Sequence, residues 1–176
     1  FSPADYLTIN SNEIKVLGKN SFKHRFPIVS SYLKQIRKAT KRIWIVNSYF
    51  IPNRKIIRLL SKAAQKGVDV RIMVPAQNDI FLAHFASRAI YSRLLKKGVR
   101  IFQWLPNMLH SKNAVIDSSW STVGTFNLDH RSVLFNLEIN VSITNDNFAH
   151  IMEKTFINDM KNCREIDFVS FSCRPW

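Results

Sequence analysis

The chain has 176 residues, 46% of them apolar. That is enough for one domain with a sizeable core and too few for two comfortable ones. No apolar run approaches the roughly 18 residues of a transmembrane helix, and two cysteines, Cys163 and Cys173, make no disulfide framework. The net charge is +14, and the whole excess lies early. Lys15 to Arg71 holds fifteen Lys/Arg against Asp69 alone, while the remaining eleven basic and eleven acidic residues cancel. Such a segment is either a solvated helical surface or a patch drawn to an anionic membrane or to nucleic acid, and charge alone does not choose.

In chain order, residues 1–12 are polar and irregular, expected to be a linker or cut end. The first residue is Phe1 and no signal pattern follows it, so the chain is expected to be a piece of something longer. Glu13 to Leu17 suits a short strand. From Phe26 to Ala39, Phe26, Val29, Leu33 and Ile36 recur on one helical face, with Pro27 tolerable in the first turn. Arg42 to Phe50 is nearly continuous in β-branched and aromatic residues, as in a strand covered on both sides. Asn53 is placed to cap a helix carrying Ile56, Leu60, Ala63 and Ala64, closed by Gly67. Val68 to Val74 alternates as a strand. Asp79 is placed to cap the next helix, with Leu82, Phe85, Ala89 and Leu94 inward and Gly98 at its end. Val99 to Trp104, Lys112 to Ile116, Trp120 to Val123 and Glu138 to Thr144 read as strands; in the last, Ile139, Val141 and Ile143 alternate. Asn145 or Asp146 opens a final helix to about Asn162, and the tail 164–176 is left unassigned. The expectation is one α/β domain over 13–163, with a mixed, largely parallel β-sheet sandwiched between helices.

His110, Lys112, Asn127 and Glu138 are the side chains that attack on a phosphodiester requires. An imidazole serves as nucleophile or proton donor near neutral pH. An ammonium and an amide hold non-bridging phosphate oxygens. Either Asp117 or Glu138 can orient an imidazole through its second nitrogen. Gly124-Thr125 reads as a turn whose backbone N–H groups approach an anion. Asn47, Tyr49 and Phe50 end a central strand, where open α/β sheets place ligands, so Asn47 and Tyr49 are possible pocket residues. No clustered His or Cys residues offer a metal site, and no cofactor is expected. His24, His84, His130 and His150 read as solvated or packed, and no strained nucleophile turn supports a triad on Ser111 or Ser121.

His110, Lys112, Asp117, Gly124, Thr125 and Asn127 form H-x-K-x4-D-x6-G-[ST]-x-N, which resembles the signature of the phospholipase D superfamily, with threonine where serine is usual. NSYFIP at 47–52, AAQKGVDVRIMVP at 63–75, YSRLLKKGVRIFQW at 91–104, LDHRS at 128–132 and NLEINVSI at 136–143 are similar to the C-terminal half of bacterial cardiolipin synthases. The resemblance implies a phospholipase D-like domain and two histidines facing each other across a two-fold or pseudo-two-fold axis. One attacks phosphorus and the other protonates the leaving oxygen. With one motif present, His110 would be the acid/base and the nucleophile would lie in a missing N-terminal half; in a homodimer, two copies of His110 would split the roles. Lys112, Thr125 and Asn127 would hold phosphate. Glu138 is the preferred orienting carboxylate. Asp117, though part of the catalytic motif, reads as a structural partner at a strand end.

Three functions follow. The first is a phosphatidyl transferase of the cardiolipin synthase type, joining two phosphatidylglycerol molecules through a phosphohistidine, peripheral to an anionic bacterial inner membrane. The second is a homodimeric phospholipase D-like nuclease or phosphodiesterase that binds nucleic acid. The third is a non-catalytic module.

Overall fold

The computed structural model describes residues 13–19, 26–77, 81–168 and 171. The middle of its sheet is the run Arg42–Asn47 (β2), whose five residues after Arg42 are all buried. On either side of β2 the chain is built differently. Toward one edge, helices of 12 and 15 residues, Arg54–Gln65 (α2) and Phe81–Leu95 (α3), lead to Asp69–Pro75 (β3) and Arg100–Trp104 (β4). Crossovers of that length permit parallel pairing, and β2, β3 and β4 are parallel. Toward the other edge connections are short. Lys112–Ile116 (β5) turns through three residues into Trp120–Gly124 (β6), which enforces an antiparallel hairpin. Glu138–Thr144 (β7), reached through the short helix His130–Leu134 (α4), and Ile14–Lys19 (β1) continue antiparallel. Cys163–Glu165 (β8), in the segment the sequence left unassigned, closes the far edge against β4.

The order is β1-β7-β6-β5-β2-β3-β4-β8. The sheet is therefore mixed but largely antiparallel, not largely parallel as expected. Helix-strand alternation shows only the β2–β4 crossovers, whereas the pairing of β5 to β2 depends on where a short connection returns the chain.

Pro27–Lys38 (α1), α2 and α3 cover one face. Pro27 lies in the first turn of α1, and Asn53 caps α2 by accepting from the Lys55 and Ile56 N–H groups. Gly67, at φ 87°, leaves α2 through the left-handed region that glycine enters freely. Under these helices Tyr32 packs edge-on to Trp120 (centroids 5.8 Å) and against Phe126 (6.5 Å). Among the described side chains of α3, Ser87, Tyr91 and Leu94 are buried; Ala89 is exposed, because it lies two residues, a half-turn, off that stripe. Asp79 and the side chains of Leu82, Phe85 and His84 lie outside the described residues, as do His24 and Cys173.

Asp146–Met160 (α5), capped by Asn145 through the Phe148 N–H, crosses the other face. Phe156 stacks on Trp44 at 5.1 Å. It covers only part of that face. On β1, β7 and the end of β6, Val16 is 65% exposed, Ile139 52% and Val123 40%. The alternating apolar row of β7 thus faces outward at Ile139, while Glu138, Asn140 and Ser142 face inward and are buried. Trp120 and Thr122 of β6 supply their partners: Trp120 Nε1 donates to Ser142 Oγ (2.8 Å), and Asn140 Nδ2 to Thr122 Oγ1 (3.0 Å).

Candidate active site

The register brings the candidate residues to one edge of the sheet. Asn47, ending β2, pairs with Lys112, beginning β5. Gly124, ending β6, pairs with Asn140 of β7, two residues after Glu138. This edge is also where parallel β3 and β4 end, and beside it opens a cleft of about 690 Å³. Tyr49, Pro75, Trp104, Met108, His110 and Arg164 are among its lining residues.

His110 sits in the loop before β5, exposed, and among the described residues its ring has no hydrogen-bond partner. Lys112 is only 5% exposed. Its ammonium donates to Ser48 Oγ (3.0 Å) and to the His110 carbonyl (2.8 Å), and Ser48 Oγ donates to the Ser111 carbonyl (3.3 Å). Two of the three ammonium protons therefore hold the chain around His110 in place, and the third is available to an anion. Burial pushes the Lys112 ammonium below its ordinary value, and the fields of Glu138 and Asp129 act against that shift.

Asn127 is presented by its neighbours. Phe126 and Leu128 are each 1% exposed, while Asn127 between them is half-buried. Two buried amides strap this loop. Asn47 donates to the Phe126 carbonyl (3.5 Å) and accepts from the Leu128 N–H (3.2 Å), and Asn140 Oδ1 accepts from the Phe126 N–H (3.2 Å). Asn127 Oδ1 itself is buried with no partner among the described residues. Turning the amide over would present its N–H₂ group at the same place.

Several expectations change here. Asn47 is wholly buried, positions the loop and is not among the residues lining this cleft; Phe50 is core, and Tyr49 lies in the cleft lining. The backbone of Gly124-Thr125 is no open anion cradle. The Thr125 N–H donates to the Ile139 carbonyl (2.9 Å), and the Phe126 N–H is taken by Asn140. Gly124 is required instead by close approach, since a Cβ there would collide with the Ile139 carbonyl and the Asn140 side chain. The Thr125 hydroxyl makes a short bond to Glu138 Oε2 and accepts from the Ile139 N–H (3.1 Å), so its bonds lie within the protein. Glu138 is 7% exposed and also accepts from Asn136 Nδ2 (3.2 Å). Among the described residues it makes no bond to the His110 ring of the same chain.

Asp117 is not brought to this edge. It lies at the other end of β5, where its carboxylate accepts from the N–H groups of Thr40 (2.7 Å), Lys41 (2.8 Å) and Arg42 (2.9 Å) and from the Thr40 hydroxyl. Burial raises its carboxyl, but these bonds together outweigh burial and hold it below the usual range.

Ser48, Asp129, Asn136 and Asn140 were not singled out by sequence reasoning. The inward polar row Glu138, Asn140, Ser142 carries period-2 spacing that signals the last of these. Nothing in the sequence alone signals that Ser48 meets Lys112, 64 positions away. Among the described residues, no three His, Cys, Asp or Glu side chains gather as a metal ion would require.

An exposed imidazole lining the cleft, with a buried ammonium and an amide at the same end of the sheet, suits attack on an anionic ester. A family model described as "Cardiolipin synthase, PLD-like domain" matches residues 32–160. The probable cardiolipin synthase YwiE of Bacillus subtilis (strain 168) is 39% identical over 140 residues, covering 80% of this chain and 28% of that protein. Cardiolipin synthase B of Escherichia coli O6:H1 is 31% identical over 165 residues, covering 93% of this chain and 40% of that protein. The chain thus spans less than half the length of these curated relatives. Among solved structures, the phospholipase D family member Nuc of Salmonella typhimurium superposes with a TM-score of 0.73 at 19% identity, covering 87% of this chain and 97% of that one. The phosphatidylserine synthase of Haemophilus influenzae does so at 0.72 and 14% identity, over 87% and 40%. At these identities the two superpositions establish the fold. Motif, fold and sequence likeness agree, and the chain belongs to the cardiolipin synthase, PLD-like domain family.

Proposed function

We propose that residues 13–163 are one catalytic half-domain of a phosphatidyl transferase of the cardiolipin synthase type, acting on phosphatidylglycerol. The observation that carries this reading is the buried Lys112 ammonium, held between Ser48 and the His110 backbone, with the exposed His110 ring beside it at the cleft. A buried cation with a free donor stabilises the extra negative charge of a five-coordinate phosphoryl transition state more than the same group would in water. Asn127, on the loop strapped by Asn47, adds an amide at the same end of the sheet.

A phosphohistidine route needs two imidazoles. One attacks phosphorus as the glycerol oxygen departs; the other protonates that oxygen and then takes the proton from the hydroxyl of a second phosphatidylglycerol. The sequence supplies one H-x-K motif, so the second histidine must come from another half or another copy. The apolar face left open on β1, β7 and β6 supports such pairing, since Val16, Val123 and Ile139 would otherwise stay in water. In that arrangement His110 is the acid/base, and Glu138 has to meet an imidazole from the other half. No helix among the described residues is long and apolar enough to cross a membrane, and the reading places this domain at the bilayer surface.

The experiment is reconstitution of the chain with a histidine-bearing partner half, followed by incubation with phosphatidylglycerol vesicles and, separately, with plasmid DNA. Cardiolipin and glycerol should appear and the DNA should stay intact. DNA cleavage without cardiolipin would replace the transferase with the nuclease reading. The chain as a monomer should turn over neither.

A further inference from the structure

We infer that the loop from Leu105 to Leu109, between β4 and His110, is a bilayer-docking loop that inserts into the surface of an anionic phospholipid membrane. Leu105 is 53% exposed and Met108 73%, on a five-residue connection that ends at the candidate acid/base. Exposed apolar side chains at a loop tip cost free energy in water and recover it in the acyl region of a bilayer. Trp104 stands at the base of the loop, its Nε1 donating to Asn107 Oδ1 (3.4 Å), an amphipathic ring of the kind that settles at headgroup level.

The charge beside the loop fits the same occupant. The Leu105 N–H donates to the Asn162 carbonyl, which fixes the loop against the turn between α5 and β8. Exposed Lys161 and Arg164 flank that turn, and Arg164 also lines the cleft. Arg164 donates to the neutral Gln103 amide and Lys161 to the neutral Asn158 amide, so neither cation is neutralised by a carboxylate among the described residues. Two apolar tips rimmed by two cations match an anionic interface, where each cation adds to the apolar term.

Sheet order separates this loop from the pairing face. The open apolar strands are β1, β7 and β6, whereas the loop leaves β4, on the other side of β5 and β2. The inference rests on the phospholipid reading above and names how the cleft is presented to its substrate.

The test reads binding, so it stays separable from failure of the transferase reading. In the complete enzyme, cleared of other cysteines, Met108→Cys carries an environment-sensitive fluorophore. It should label readily without lipid. Its emission should shift to the blue and be quenched by nitroxide-bearing lipid in phosphatidylglycerol vesicles, and much less in phosphatidylcholine vesicles. Leu105→Ser with Met108→Ser should lower co-sedimentation with phosphatidylglycerol vesicles by roughly tenfold or more, from lost burial of two side chains, with the thermal transition unchanged. A label inaccessible before lipid is added would mean that protein covers the loop, and would overturn the inference. Absence of quenching in bound enzyme, or unaltered co-sedimentation by the folded double variant, would overturn it equally.

Discussion

The two ends of β5 carry halves of one sequence motif and do opposite things. At the first end Lys112 is a buried cation with a proton to offer, and the same end of the sheet holds an exposed imidazole and an amide oxygen with no partner among the described residues. At the other end Asp117 is saturated: three backbone N–H groups and a hydroxyl converge on its two oxygens. Next to it Glu153 accepts from Ser118 Oγ (2.7 Å) and pairs with Arg42 and His150. The guanidinium groups of Arg42 and Arg71 both lie against Trp44, 5.2 and 4.8 Å from its ring centroid. Five residues at about 3.4 Å each separate the ends. The difference teaches that a strand long enough to cross the sheet lets one motif specify both chemistry and the anchoring of the strand that presents it. Unsatisfied groups mark the candidate site, satisfied ones the anchored end.

The sharpest way to break the comparison is at Lys112. In the paired enzyme, Lys112→Met should lower turnover by about 10²- to 10³-fold, the loss seen when one preorganised donor is removed from an oxyanion site, with circular dichroism unchanged. Near-normal turnover would move the chemistry away from this end.

Next comes the strap under Asn127. Asn47→Leu leaves the Phe126 carbonyl and the Leu128 N–H buried without their partner, and should cost about 2 kcal/mol or more in urea unfolding. Turnover should fall as well, because Asn127 rides between those two residues. A variant as stable as the wild type would show that the loop holds itself.

Asp117→Asn should cost about 1–3 kcal/mol of stability while the folded fraction keeps its specific activity, which sets the anchoring end apart from the working one. The pH dependence carries a sign. The Asp117 carboxyl is held below its ordinary value when folded, so its stabilisation is complete above the unfolded carboxyl's value of about 3.9. It is lost as pH falls through the lower folded value. The gap in urea midpoint between wild type and Asp117→Asn should therefore be constant at neutral pH and close in strong acid. A gap that widens on acidification would contradict the bonding described here.

The smallest effect is expected at Ser118, whose φ of 56° is left-handed for a residue with a Cβ. Ser118→Gly relieves that conformation but removes the bond to Glu153, and the two should offset to within about 1 kcal/mol. Thermal unfolding of the variant measures the balance.

Much of this was legible before any coordinates. The bounds of β5 and β7 agree with the sequence reading to the residue, because alternation and flanking turn residues act over a few positions. Asn53 and Asn145 announce their helices for the same reason: a cap is a contact between neighbours in sequence. The motif itself marked out His110, Lys112 and Asn127 through fixed spacing.

What sequence could not determine depends on partners far along the chain. The antiparallel bias follows from β5 returning beside β2, a pairing of residues some seventy positions apart that no local pattern encodes. Asn47 reads from the sequence as a possible pocket residue; that it straps the Asn127 loop depends on partners 79 and 81 residues away. Thr125 was read as a phosphate ligand, yet Glu138 and Ile139 already engage its hydroxyl. Whether a polar side chain is free for a ligand is decided by what else reaches it once the sheet is assembled. Spacing specifies which groups are offered; only tertiary packing decides which of them remain unsatisfied.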